Sequence, residues 1–496
     1  MQISKSRYCR GIQCPKMIWM DRYMPEEAVS TANEAVLENG TRVGQLALEL
    51  FPGCVTVPFS LVGAEMAEAT RKLLDDGAVS IAEASFYFED LFCSVDILRR
   101  RGDGSGFDIF EVKSSTGVTD IYLEDLAFQY YVLTHAGLKI NRAYIVHLNS
   151  AYTRQGELDL ERLFYPADCT DEVLALQEKI PRNVEALRYA LNMKQEPKWD
   201  IGMYCDTPYE CAYKQYCGKH LPSPSVFDIN GMYKSTKYEL YHKGALSYGD
   251  ILNCEDFKAR LKKNELRQVE AEYYHNPDFI DKGNIKEFLE TLQYPVYHLD
   301  FETYQQSIPL YDGVRPYMQI PFQYSLHVQK SAGAQPQHFE YLGETGKDPR
   351  RGLAEQLCRD IPKGVCVLAY NMGFEKGRIK ELAQMYPDLA EHLMDIHNHI
   401  VDLMEPFRKK HYYSEHLHGS YSIKYVLPAL CPGDPELNYD NLEGVHNGAE
   451  AMNAFARLTD LPEEEQEAVR KNLLAYCRLD TLAMVKILDK LWYMIA

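Results

Sequence analysis

The stretch YPVYHLDFETY, residues 294–304, reads as a buried strand interrupted by Asp300 and Glu302. In a strand, residues two apart point to the same face, so both acids project together, with Leu299 and Phe301 on the other side. Two carboxylates this close repel each other unless a proton or a cation lies between them. A solvated strand end would account for such a pair without any chemistry. The rest of the chain decides which reading holds.

With 496 residues the chain exceeds the size at which one core stops growing, so two domains or more are expected. Its 46% hydrophobic and 25% charged content is ordinary for a globular protein. No run of about 18 apolar residues occurs, so no membrane partnership is expected. The opening MQISKSRYCRGIQCPKMIW lacks the apolar core of a signal peptide, and a cytoplasmic location is expected. The 13 cysteines are scattered rather than packed into a small scaffold, which in a reducing compartment favours ligation of a metal or cluster by some of them. A formal net charge of −19 opposes any general affinity for nucleic acid, so such a substrate would need local basic patches, bound metals or a protein partner.

The first block, 1–222, contains FYFEDLFCSVDILRRRGDGSGFDIFEVKSS, two strands joined by a glycine-rich turn. A long helical pattern follows, VTDIYLEDLAFQYYVLTHAGL, ending at Gly137, and then a strand-like RAYIVHLN. LPSPSVFDINGMYKS has the texture of a boundary, and residues 223–290 read as a helical linker. The second block, 291–496, opens on the quoted strand and continues with strands PFQYSLHVQ and GVCVLAYN before helices take over. The fold class expected for both blocks is α/β, in the sense of mixed α+β.

Within FCSVDIL, alternation puts Cys93, Val95 and Ile97 on one face and Asp96 on the other; in FDIFEVKSS, Glu111 and Lys113 share a face. A hairpin through RRRGDGSG brings Asp96 beside Glu111, giving two carboxylates for a hard cation such as Mg²⁺ or Mn²⁺. The neighbouring lysine is placed to polarise an attacking water or to neutralise phosphoryl charge. An exposed hairpin of alternating charges is the plain alternative. The order D-x(14)-E-x-K on two strands, followed by a helix carrying Gln129, resembles the core of PD-(D/E)XK nucleases, in particular their RecB-like branch. The resemblance implies metal binding by Asp96 and Glu111, a catalytic Lys113 and a site role for Gln129, with Glu83 as a further upstream acid. One departure stands out: where that branch often has a histidine four residues after an N-terminal glycine, RVGQLALEL has Leu48 after Gly44, then Glu49.

Cys205, Cys211 and Cys217 recur at equal intervals in YCDTPYECAYKQYC, and Cys14 stands before Pro15 at the far end of the block. The spacing is wrong for the CxxC knuckles of a zinc ribbon. It suits one remote thiolate plus a trio around a [4Fe–4S] cluster. Iron-sulphur members of the RecB-like family, including CRISPR-adaptation nucleases, clasp their nuclease domain in this manner. The resemblance extends to SRYCRGIQCPKMIWM, with its Cys-Pro before an aromatic helix, and implies Cys14 rather than Cys9 as the fourth ligand.

Downstream of HLDFET come LAYNMGFEKGRIKELA and LLAYCRLDTLAMVKIL. Tyr476 and Asp480, four apart, share a helix face. Asp300, Glu302, Glu375 and Asp480, from three separate segments, form a set suited to two divalent cations about 4 Å apart. The order resembles the DEDD exonuclease superfamily on a ribonuclease-H-like fold, in the subgroup with tyrosine in the last motif. That resemblance gives Tyr476 the role of orienting the attacking water. The third acid there is usually Asp, and here it is Glu375; Asp402 is a runner-up. Together the two halves resemble bacterial fusions of an iron-sulphur RecB-like nuclease with a DEDD-like domain of uncharacterised role. The expected function is a dual metal-dependent nuclease acting on DNA, on single strands or ends, with RNA as the alternative substrate. A non-catalytic nucleic-acid-binding scaffold with one decayed site is the other alternative. Six histidines between His392 and His418 lack the partner cysteines or acids of a zinc or HNH site.

Overall fold

The computed structural model describes residues 2–29, 34–434, 437 and 442–496. It is a mixed α/β protein of two compact units, Met1–His220 with Gln306–Tyr317, and Leu221–Gln305 with Met318–Ala496. Residues 223–290 belong to the second unit rather than standing apart as a bridge.

The first unit is built on a seven-stranded sheet of β1 (Ile3–Ser4), β2 (Val55–Thr56), β3 (Ser80–Phe88), β4 (Leu91–Arg100), β5 (Phe107–Lys113), β6 (Ile140–Leu148) and β7 (Phe164–Asp168). Strands β2 to β7 lie in sequence order, and β1 pairs with β4. One face packs Leu126, Ala127, Val132 and Leu133 of the helix Asp120–His135, with Val184 and Leu187 of the helix Ile180–Leu191. The other face packs Val43 and Ala47 of the helix Glu34–Leu48 against Phe110 and Val146.

The alternation expected along β4 fails at one point. Cys93 and Val95 point into the first core, but Ile97 points into the second and Leu98 takes its place in the first. The same slip occurs on the neighbouring strand, where Ile81 is followed in the first core by Ala84 and Phe86 rather than Glu83. The cause lies in the backbone. Glu83 has φ +56°, a left-handed conformation that rotates the strand out of phase, and the register places it opposite Asp96, where the ladder of Ala82–Ile97 and Ala84–Val95 is interrupted. Sequence alternation assumes an unbroken extended strand and therefore misassigns Ile97.

In the second unit, β9 (Val296–Tyr304), β10 (Ile320–Gln329), β11 (Gln337–Leu342), β12 (Cys366–Ala369) and β13 (Ile400–Asp402) form a sheet in the order β11-β10-β9-β12-β13. The first three pair antiparallel, while β9, β12 and β13 run parallel. A two-stranded ribbon of β8 (Phe279–Ile280) and β14 (Tyr412–Tyr413) ties the segment before β9 into this unit. On β9 the alternation is regular. Leu299 and Phe301 face a core with the helices Arg350–Asp360 and Gly373–Met385, whereas Val296 faces the long helix Glu463–Ile495. Asp300 and Glu302 therefore lie under that helix, and Glu302 is only 8% exposed. They are not a solvated strand end. Among the described residues, no helix is long and apolar enough to cross a membrane.

The left-handed Glu83 yields a direct test. Glu83→Gly removes the Cβ clash and is expected to be neutral or stabilising, whereas Glu83→Val should cost on the order of 1–3 kcal/mol. Urea unfolding of both variants checks the sign of each.

Candidate functional site

The structure brings together most of the first set of candidate residues where β4 and β5 part. Their ladder ends at Ile97–Phe110, so Asp96 and Glu111 stand on the next rung. Asp96 Oδ2 accepts the Val112 N–H at 2.7 Å, taking the bond that a continued ladder would have given to a carbonyl. Glu111 is 2% exposed and is the hub. Lys113 Nζ donates to Glu111 Oε1 at 2.7 Å, and Gln129 Nε2 donates to Glu111 Oε2 at 2.8 Å.

Two residues in this site escaped the sequence reading. Asp125, one turn before Gln129, accepts from Lys113 at 2.8 Å and from Gln129 at 3.0 Å. The i, i+4 spacing to Gln129 was a usable signal. Lys5 donates to both oxygens of Glu111 at 3.1 and 3.2 Å and lies 3.6 Å from Asp96. Nothing in local sequence points across that separation. Glu83 is exposed at the rim, yet surrounding protein raises its carboxyl, with Lys5 opposing and Glu111 adding to the shift.

The charges explain the protonation. Burial, then Glu111, pushes Asp96 up to about 7, against Lys5, Lys113 and the Val112 N–H. Burial acts against ionised Glu111, but the Lys5 and Lys113 ammoniums win and hold it well below the ordinary carboxylate range. Two carboxylates converging on an ammonium fit a hard divalent cation, because the ammonium marks where their field is most negative.

The cysteine quartet lies in the same unit. Cys14 caps the start of the helix Pro15–Tyr23 and is buried, as are Cys205 and Cys211, with Cys217 half-buried. Burial raises Cys14 to about 11 and Cys205 to about 12, and each feels the charge of Cys211 and Cys217 as well. Cys9 instead feels Asp125, Lys113 and Glu111, which puts it beside the acid site. Gln13 secures the trio's loop by donating to the carbonyls of Tyr204 and Tyr209, both at 2.7 Å. Among the described residues, no three of these sulphurs fall within 4.8 Å of one another. A zinc ion with bonds of about 2.3 Å would gather its four sulphurs more tightly than that. All four are free thiols, the donor type that a [4Fe–4S] cluster takes.

In the second unit, Asp300, Glu302, Glu375, Tyr476 and Asp480 all line one cleft of about 350 Å³. The long helix is held over the sheet by side chains of β10. Gln323 Nε2 donates to the Leu473 carbonyl at 2.8 Å, while Ser325 Oγ and His327 Nδ1 lie 2.6 and 2.8 Å from Thr481 Oγ1. That seating delivers Tyr476 and Asp480 to Asp300, which pairs with Ser325 across the ladder. Burial raises Asp300 far above its ordinary value, with Asp480, Glu302 and Glu375 adding to it. Burial, then Asp480, raises Glu302 to about 8, and burial raises Glu375 to about 8. Glu375 is 2% exposed and its Oε2 has no hydrogen-bond partner. An orphaned buried carboxylate oxygen in a residue that lines the same cleft as three further acids fits divalent cations.

Asp402 does not line this cleft; its Oδ1 accepts from Asn371 N–H at 3.0 Å and Met404 N–H at 3.1 Å, anchoring the turn before Glu375. The sequence reading missed Cys477, whose sulphur lies 3.9 Å from Asp300 Oδ2 and within 4.8 Å of a Glu302 oxygen. It also missed Lys424, the one cation among the described residues lining the cleft. The histidine-rich stretch does not converge: His392 bonds the Ile361 carbonyl and His399 the Asp395 carbonyl.

Residues 297–422 match a family model described as a domain of unknown function (DUF2779). No curated protein matches the chain. The matched segment carries Asp300, Glu302 and Glu375, about a quarter of the chain, and stops short of Tyr476 and Asp480.

The raised carboxyls fix the sign of a pH effect. Glu302 and Glu375 bind protons more tightly folded than unfolded, so their contribution is full below about pH 4.3 and is lost as pH rises toward 8. The chelated protein should therefore lose stability from pH 5 to 8, by about 1.4 kcal/mol per pH unit for each proton released on unfolding. Mn²⁺ should restore stability most strongly at pH 8, and Glu302→Gln should flatten the decline. Thermal melts across this range check all three.

Proposed function

We propose that the protein is a metal-dependent nuclease with two sites, acting on DNA at single strands or ends. The observation that carries this reading is the convergence of Asp300, Glu302, Glu375 and Asp480 on one cleft, with the Glu375 oxygen left unpartnered. Asp300, Glu302, Glu375 and Asp480 would hold the cations in the second unit, and Asp96 with Glu111 in the first. Bound divalent cations supply Lewis-acid chemistry and a nucleophilic water at neutral pH.

The chain's own groups have separable tasks. Tyr476, one turn before Asp480, lines the cleft and would orient water there. Lys424 places a positive charge at the same cleft for a substrate phosphate. In the first unit, Glu111 and Asp125 hold the Lys113 ammonium at 2.7 and 2.8 Å, fixed in place toward developing phosphoryl charge. Gln129 fixes the second oxygen of Glu111, so that carboxylate cannot rotate. The cysteine quartet would hold a [4Fe–4S] cluster with a structural role, tying residue 14 to residue 217. The mixed sheet of the second unit, with its acids on the central β9, is compatible with the ribonuclease-H-like fold that the motifs resemble.

Labelled single- and double-stranded DNA, with RNA alongside, should be degraded in Mg²⁺ or Mn²⁺. Asp300→Ala and Lys113→Ala should each lower a different cleavage activity by about 10²–10³-fold. Cleavage untouched by either substitution sinks the catalytic reading, and preference for the RNA arm replaces DNA as substrate. Anaerobic purification should yield about four irons per chain with a broad visible absorption. Cys205→Ser should lose both and lower the unfolding temperature of the first unit.

A further inference from the structure

Lys5 occupies the place where the first site would take a cation. Its backbone is fixed from both sides. Ile3 is fully buried and pairs with Leu91, Ser4 pairs with Phe92, and the Ser4 hydroxyl accepts the Arg7 N–H to start the helix Lys5–Gln13. The side chain then runs into the acid pair. Its nitrogen is nearly equidistant from the two oxygens of Glu111, at 3.1 and 3.2 Å, and 3.6 Å from Asp96. Lys113 shares Glu111 Oε1, at 2.7 Å, but Asp125 anchors it at 2.8 Å, whereas Lys5 spans both Glu111 oxygens and reaches Asp96.

A charge seated evenly between both oxygens of one carboxylate, and in ion-pair range of a second, has the position of a bidentate-bound metal. An ammonium and a divalent cation cannot share it, since two positive charges so close in a half-buried site repel strongly. The lysine has somewhere to go. Its side chain is 25% exposed, so the ammonium can swing to water on its four-carbon stem.

We propose that Lys5 sets the metal affinity of the first site: its ammonium is the resident counter-ion of Asp96 and Glu111, and a divalent cation binds by displacing it. The proposal rests on the nuclease reading only in taking Asp96 and Glu111 as ligands. It makes metal loading of this site an exchange of one cation for another. Occupancy then rises at higher metal concentration than the two carboxylates alone would require.

The test is Mn²⁺ titration of the full chain, with free ion followed by electron paramagnetic resonance. Asp300→Asn with Glu302→Gln in the second unit provides the background, so that the first site is read alone. Lys5→Met keeps the length of the stem and removes its charge, and should tighten Mn²⁺ binding at least tenfold. Lys5→Gln should do the same should Lys5→Met fail to fold, while Lys5→Arg should stay close to the parent. Asp96→Asn should abolish binding in every case. Unchanged or weaker binding in both neutral variants, with Asp96→Asn still abolishing it, overturns the displacement proposal and leaves the ligand assignment standing. Binding insensitive to Asp96→Asn overturns the ligand assignment, and the proposal with it.

Discussion

Four carboxyl groups cannot share one buried cleft as four anions. Under the long helix of the second unit, burial raises the proton affinity of Asp300 and Glu302, and Asp480 and Glu375 raise both further. Burial removes the water that would screen them, and Lys424 at the rim is one positive charge against four acids. The folded chain therefore carries a standing demand for protons or cations. The sheet and helix that create the demand are held together by groups that do not titrate with it: the Gln323 amide on a backbone carbonyl, and Ser325 with Thr481. Geometry and charge are thus carried by different residues.

The first unit meets a similar constraint in another way. Its two central acids are supplied with two lysines from within the chain, one held by Asp125 and the other reaching in from the N-terminal segment. Glu111 is consequently ionised while Asp96, with fewer partners, is held near neutrality in its proton affinity. The backbone contributes as well. The left-handed Glu83 opposite Asp96 breaks the strand phase, and the ladder between β4 and β5 stops one rung short of the acids. Polar side chains enter the sheet where its own hydrogen bonding ends.

Legibility in the sequence follows from how far each feature depends on neighbours along the chain. The second-unit strand was readable because β9 alternates without interruption, so a period of two locates Asp300 and Glu302 on one face. Tyr476 and Asp480 were readable from helical spacing for the same reason. The phase slip at Glu83 was not, because a glutamate in a left-handed conformation leaves no compositional trace where glycine or asparagine would have. Lys5 was invisible for a different reason: its partner Glu111 lies 106 residues away, and a lysine near a terminus is ordinarily solvated. Cys477 stood between two residues that were read as functional, yet its approach to Asp300 depends on how the helix is rotated over the sheet. Residues 223–290 looked like a connector because their helices are short and charged; their apolar residues Ile285, Phe288 and Leu289 are buried in the second unit's core.

The helix Lys5–Gln13 has a property that belongs to neither of its ends alone. Nine residues of α-helix form a rod of about 13 Å. At one tip is the ammonium lodged among carboxylates; at the other, Gln13 grips the loop of the cysteine trio and Cys14 begins the next helix. A rod transmits displacement without needing a conformational change of its own. One short helix thus connects the ammonium where β4 and β5 separate to the loop that carries the cysteine trio.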